Sequence, residues 1–221
     1  MVRVEYGVSV GQGLIPREIE LDDPHSLRSY RCIAPASLAT PTGEHYASAV
    51  SFSRPLLMQL VRHMEWADAR VWAVVPEGLP DDQRLAQWLV HIHVVQRAFL
   101  AVWTGADLQQ AFREPTDFAS LIEVRRWAQS YYPEALRFLE TVPEGRLAEP
   151  LAMPWAAMLT QQMGHEPGPT TLGDTCFQVT SHSTYHRGQV NARLRELGAE
   201  PPLVDYIAWM WFGQPNAEWR P

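Results

Sequence analysis

The residues with the most chemistry to offer are histidines, and the chain carries eight: His25, His45, His63, His91, His93, His165, His182 and His186. His182 and His186 are four apart, and in a helix that spacing stacks two side chains on one face with Cβ atoms about 5–6 Å apart. Two imidazole nitrogens so placed can reach one ion at about 2.0–2.1 Å. Both rings also border an apolar stripe of Cys176, Val179 and Val190, where a polar ring costs stability unless it finds a partner. His91 follows Trp88 by three and precedes Val95 by four, so it too lies beside a core-facing stripe. His93, about 200° round the helix from it, is expected to face away. If the helix of His91 neighbours the helix of the pair, three nitrogens converge and leave a coordination position open, the pattern of a catalytic site. A bundle whose histidines only hydrogen-bond fits the same spacing. His25, His45, His63, His93 and His165 are assigned surface or structural roles; His165, beside Glu166, is the candidate for a fourth ligand or lid residue.

These rings need rigid elements to hold them. Residues 2–10 alternate, with Val2, Val4, Tyr6, Val8 and Val10 apolar, which reads as a half-buried strand; residues 1–50 are taken as an extension of strand and loop. From Pro55 the period becomes three and four, through Leu57, Leu60, Val61, Met64, Val71 and Trp72. That is a first amphipathic helix, capped by Ser53 and closed by Pro76 and Gly78. A second starts near Asp81 or Asp82 and stops at Gly105, with Leu85, Trp88, Ile92, Val95 and Phe99 as its stripe. A third spans about 117–140, and Pro133 should kink or split it. A fourth spans about 171–197, closed by Gly198 and the prolines after it. Four such helices predict an all-α antiparallel four-helix bundle over residues 51–198. The link 141–169 is long enough to be functional and is expected to fold over one end of the bundle, as a lid. The tail 199–221 holds Tyr206, Ile207, Trp209 and Trp211, and should dock on the bundle or on a second copy of the chain.

Composition narrows the function. The chain has 221 residues, 46% hydrophobic and 19% charged, with a formal charge of −7. No basic stripe is present, so nucleic acid is not an expected partner. All 18 basic residues are arginine, and the absence of lysine excludes a Schiff base, a pyridoxal phosphate anchor and a Walker-type phosphate loop. Cys32 and Cys176 are too few for a disulfide framework and point to a reducing, cytoplasmic setting. No run of 18 apolar residues reads as a membrane span, and no secretory leader is visible. Gly11-Gln12-Gly13 runs into Pro16 rather than a helix, which argues against a dinucleotide site.

The stretch from His182 through His186-Arg187-Gly188-Gln189 resembles the His-x-x-x-His-Arg-Gly-Gln motif of the DinB-like, damage-inducible bundle proteins. Trp66-Ala67-Asp68-Ala69-Arg70 is similar to that family's Trp-Ala-Asn-x-Arg signature, and His91-Ile92 with Phe99 and Gly105 to its second-helix segment. The likeness covers about residues 53–210. It implies a bundle of the DinB type holding a divalent metal on His91, His182 and His186, with zinc or nickel named first and iron or copper after them. It also implies relatives that are thiol-dependent transferases or isomerases using mycothiol or bacillithiol, and homodimers. Asp68 stands where the family has Asn, Ser181 where Asn often occurs, and Gln96 where Glu is frequent.

The function expected is a metal-dependent enzyme acting on a small electrophile with a low-molecular-weight thiol; the alternative is a non-catalytic metal-binding or stress-response scaffold. Arg187 and Gln189 read as groups that orient the histidines or bind an anionic group, and equally Arg187 reads as salt-bridged to Asp or Glu of a neighbouring helix. Tyr185 and Cys176 read as packing residues, and Gly188 as permitting close approach of a neighbouring helix.

Overall fold

Side-chain caps set where the helices begin. The computed structural model describes residues 52–76 and 82–219; the strand expected over residues 2–10, His25 and His45 lie outside them. Helix α1 (Arg54–Trp72) starts with Pro55 in its first turn and the Ser53 hydroxyl accepting the Leu56 N–H. Helix α2 (Gln83–Thr104) starts with the Asp82 carboxylate on the Leu85 N–H at 2.8 Å and stops at Gly105, whose φ of 70° suits glycine. Helix α3 (Leu121–Thr141) is capped by Ser120. The long link contributes a short α4 (Ala156–Met163). Helix α5 (Leu172–Glu196), fourth in the sequence reading, opens with a reciprocal capping box: Asp174 N–H donates to the Thr171 hydroxyl at 3.1 Å, and Thr171 N–H to the Asp174 carboxylate at 2.8 Å. The tail forms α6 (Tyr206–Trp211). Among the described residues no strand forms; one isolated bridge joins Pro150 to Thr171.

The four long helices run up, down, down, up. α1 and α3 are antiparallel, with Arg54 on the Val142 carbonyl at one end and Asp68 on Tyr132 midway. α2 and α5 are antiparallel as well. The Trp103 indole donates to the Thr175 hydroxyl at 3.0 Å, the Gln96 amide to the Ser183 hydroxyl at 3.2 Å, and Arg193 of α5 grips Asp82 at the α2 N-terminus. α2 and α3 are parallel, with Trp103 stacked on Phe138 at 5.7 Å. Parallel neighbours need a crossover, supplied by residues 105–120 with 3-10 turns at Leu108–Ala111 and Pro115–Asp117. α5 lies parallel to α1, where Phe52 stacks on Phe177 at 5.4 Å.

Two apolar clusters fill the bundle. One gathers Leu57, Met64, Phe99, Trp103, Leu139 and Val179; the other Val71, Leu85, Leu89, Val124, Val190 and Leu194. α2 is long and apolar enough by composition to cross a bilayer, but 67% of that stretch is buried inside the bundle, so its apolar surface is spent on the core. The link does fold over one end: Leu147 is buried, and the Trp155 ring sits 5.0 Å from Phe99. α6 docks by one face, burying Trp209 to 2% exposure against Trp66 and Ala67.

Three expectations are corrected. Pro133 does not split α3, which runs unbroken because Tyr131, Tyr132, Ala135 and Leu139 around it are all fully buried. α3 also starts later than residue 117, since Pro115–Asp117 belongs to a separate turn. Gly188 brings no helix close, for a Cβ built there meets nothing within 4 Å; the close approach is at Gly173, where a Cβ would lie 3.0 Å from the Leu147 carbonyl.

Candidate metal centre

The antiparallel pairing of α2 and α5 brings the three predicted histidines together. His91 Nε2 lies 3.1 Å from His182 Nε2, and the ring centroids are 5.2 Å (His91 to His182), 4.4 Å (His91 to His186) and 4.3 Å (His182 to His186) apart. One nitrogen from each ring falls within 4.8 Å of the other two. Two nitrogens bound to one tetrahedral ion at about 2.05 Å stand about 3.3 Å apart, so small side-chain adjustments close the set. His186 is buried and the other two half-buried, so the group sits at the edge of the core rather than in it.

The proton on His186 is placed by its neighbour. Nδ1 approaches the Gln189 side-chain carbonyl at 2.6 Å. A carbonyl only accepts, so Nδ1 carries the hydrogen and Nε2 keeps the lone pair a metal needs. The donor set therefore suits a divalent ion that takes imidazole nitrogen, a description met by zinc, nickel, iron and copper. On its solvent side the site borders a shallow, open cavity along one flank of α5, lined by Gln178, Ser181, His182, Tyr185 and His186. Among the described residues the lining carries no carboxylate and no guanidinium. Tyr185, read from sequence as a packing residue, is 57% exposed and stands edge-on to the His186 ring at 4.9 Å. Its position four residues before Gln189 and one before His186 puts it on the outer flank of α5, where it lines the cavity instead of packing.

Behind the triad lies a buried polar layer that the sequence reading did not assemble. Asp68 and Arg187 are each 3% exposed and paired, and Asp68 also accepts from Tyr132. The Trp72 indole, which can only donate, points at His93 Nε2 at 3.1 Å. His93 Nδ1 therefore carries the hydrogen and donates to the Gln96 carbonyl oxygen at 2.8 Å. This turns the Gln96 amide nitrogen toward Asp68 at 3.0 Å, Ser183 at 3.2 Å and Tyr132 at 3.3 Å. Burial lowers the His93 pKa and keeps the ring neutral, and burial with the Asp68 charge raises the Tyr132 pKa and keeps its phenol a donor.

Arg187 makes the salt bridge to a neighbouring helix, and Gln189 bonds the His186 ring instead. His93 does turn away from the triad, yet not to the surface: α2 is packed on both sides, and the ring is 1% exposed. His63 is buried too, its Nε2–H donating to the Val204 carbonyl at 2.9 Å amid Trp66, Tyr206 and Trp209. His165 is exposed on the Glu166 carbonyl and stays outside the three-histidine group. The signal that could have found the layer was present in the sequence as polar residues at core register: Asp68 within α1, Gln96 four before Leu100, and Ser183 with Arg187 four apart.

The DinB family model matches residues 52–219 of the chain. No curated protein and no solved structure matches it.

Proposed function

The chain belongs to the DinB family, and from that premise we propose that it is a metal-dependent enzyme. Its divalent ion, zinc or nickel, would be held by His91, His182 and His186. The observation that carries this reading is the convergence of one nitrogen from each of the three rings within 4.8 Å, from two different helices. A divalent ion held there would supply Lewis acidity, which lowers the pKa of a water or thiol that reaches it.

The chain's own residues do the rest. Gln189 keeps the His186 lone pair on Nε2. The cavity on the solvent side admits a small molecule next to the imidazoles, and Gln178, Ser181 and Tyr185 offer it uncharged hydrogen-bonding groups. That lining suits an uncharged or weakly polar electrophile, consistent with a thiol-dependent transferase or isomerase. Open space beside the three histidines leaves room for a substrate, which an enzyme requires and a scaffold does not.

Metal analysis of the purified wild type beside His182→Ala and His186→Ala tests the site. Stoichiometric metal in the wild type and little in either variant is the expected result; equal metal in all three rejects the site. Cobalt-substituted protein titrated with low-molecular-weight thiols then tests the enzyme reading. A changed ligand-field spectrum supports it, and an unchanged spectrum with every thiol transfers the assignment to a metal-binding scaffold.

A further inference from the structure

We propose that the buried polar layer sets the rotation of α2 and α5 about their own axes, and that Asp68 and Arg187 are thereby positioning residues for the metal ligands. The inference rests on the metal reading and adds to it the device that makes the geometry reproducible.

The layer touches all four long helices. Asp68 comes from α1, Gln96 and His93 from α2, Tyr132 from α3, and Ser183 and Arg187 from α5. Its members alternate with the ligands along α5: Ser183 follows His182, and Arg187 follows His186. Ser183 and Arg187 are four apart and share the inward face, so His182 and His186 share the next face, about 100° round and toward α2. Fixing Ser183 and Arg187 fixes where the imidazoles point. On α2 the same role falls to His93, tied to Trp72, and to Gln96, which bonds Ser183 directly at 3.2 Å.

Apolar packing alone tolerates more rotation than a metal site does. A side-chain tip about 5–6 Å from the helix axis moves about 2 Å when the helix turns by about 20°. That equals a whole metal–nitrogen bond, while such bonds hold to about ±0.2 Å. Hydrogen bonds and an ion pair, being directional, remove that freedom. Stability gives no comparable account of the layer. A buried ion pair exchanged for apolar groups of similar size is often neutral or stabilising, and the best-attested use of such pairs is to fix register.

The test is the double substitution Asp68→Leu with Arg187→Met, which removes both charges together and leaves His91, His182, His186 and Gln189 in place. Cobalt affinity is measured by chelator competition, with the cobalt absorption spectrum, helix content and thermal midpoint recorded alongside. The expected outcome is a folded protein with a thermal midpoint at or above the wild type, cobalt affinity reduced about 10–100-fold, and an altered cobalt spectrum. A purely structural layer would leave affinity and spectrum where they were, and that result overturns the inference while the metal reading stands. Wild-type protein that takes up no cobalt overturns both. Should the double variant not fold, Tyr132→Phe removes one hydrogen bond to Asp68 and replaces it in the test. A several-fold loss of cobalt affinity supports the inference, and unchanged affinity refutes it.

Discussion

Replacing Gln189 by Leu isolates the contribution of a single hydrogen bond to the metal site. The substitution removes the acceptor that holds the His186 Nδ1–H at 2.6 Å and changes little else, because residue 189 is only half-buried on the flank of α5. Loss of such an outer contact lowers metal affinity about 10–100-fold, or about 1.4–2.8 kcal/mol. The metal-free protein loses only the net worth of one hydrogen bond, about 0.5–1.5 kcal/mol. The two costs separate experimentally. With free metal held far above both dissociation constants, the stabilisation that metal confers falls by the same 1.4–2.8 kcal/mol, roughly. At about 2–4 °C per kcal/mol for a chain of this size, the metal-induced rise in midpoint shrinks by about 3–11 °C. Chelator competition and thermal melts with and without zinc measure both numbers. A variant that binds zinc as the wild type does, with the same metal-induced rise, refutes orientation of His186 through Gln189. Gln189→Glu, a stronger acceptor at the same position, moves affinity the other way.

Four further outcomes are expected. Gly188→Ala, in open space on α5, stabilises by about 0.8–1 kcal/mol. Gly173→Ala destabilises, because its Cβ would meet the Leu147 carbonyl and Phe52 Cδ2, each at 3.0 Å, and overpacking of about 1–3 kcal/mol outweighs the propensity gain; urea melts of the two variants must move in opposite directions. Thr171→Ala breaks the capping box of α5 and costs about 1 kcal/mol, read as a lower denaturation midpoint at unchanged slope. Burial lowers the His63 pKa in the folded chain, against a pull upward from its bond to Val204. Below about pH 6.5 the unfolded chain therefore binds the proton more readily than the folded one, and stability drops with acidification. His63→Phe should flatten the fall in midpoint between about pH 7 and pH 5, and an unchanged slope would refute the assignment.

The helices were legible because caps and apolar period agree. Ser53, Asp82 and Thr171 each precede a stripe of three-and-four spacing, and each proves to be the N-cap. The histidine cluster was legible because two imidazoles four apart border one apolar stripe and His91 borders another. The crossover was not, because the sequence of an amphipathic helix states which face is buried but not which neighbour covers it. Residues 105–120 read as an ordinary connection, and the packing of Arg97 on Trp127 with that of Trp103 on Phe138 shows α2 and α3 to be parallel. The polar layer escaped for a related reason. Asp68 and Arg187 stand 119 residues apart, and no local pattern pairs a carboxylate in one helix with a guanidinium in another. Pro133 does not split α3 because propensity describes an isolated helix, whereas α3 is held by packing on both sides of the proline.

The Asp68–Arg187 pair also joins the first long helix to the last. Without α5, the Asp68 carboxylate keeps the Tyr132 hydroxyl and the Gln96 amide but has no counter-charge beside it. The last long helix therefore brings more than apolar area to the bundle: the guanidinium that pairs with Asp68, together with His182 and His186, stands on the same 25 residues.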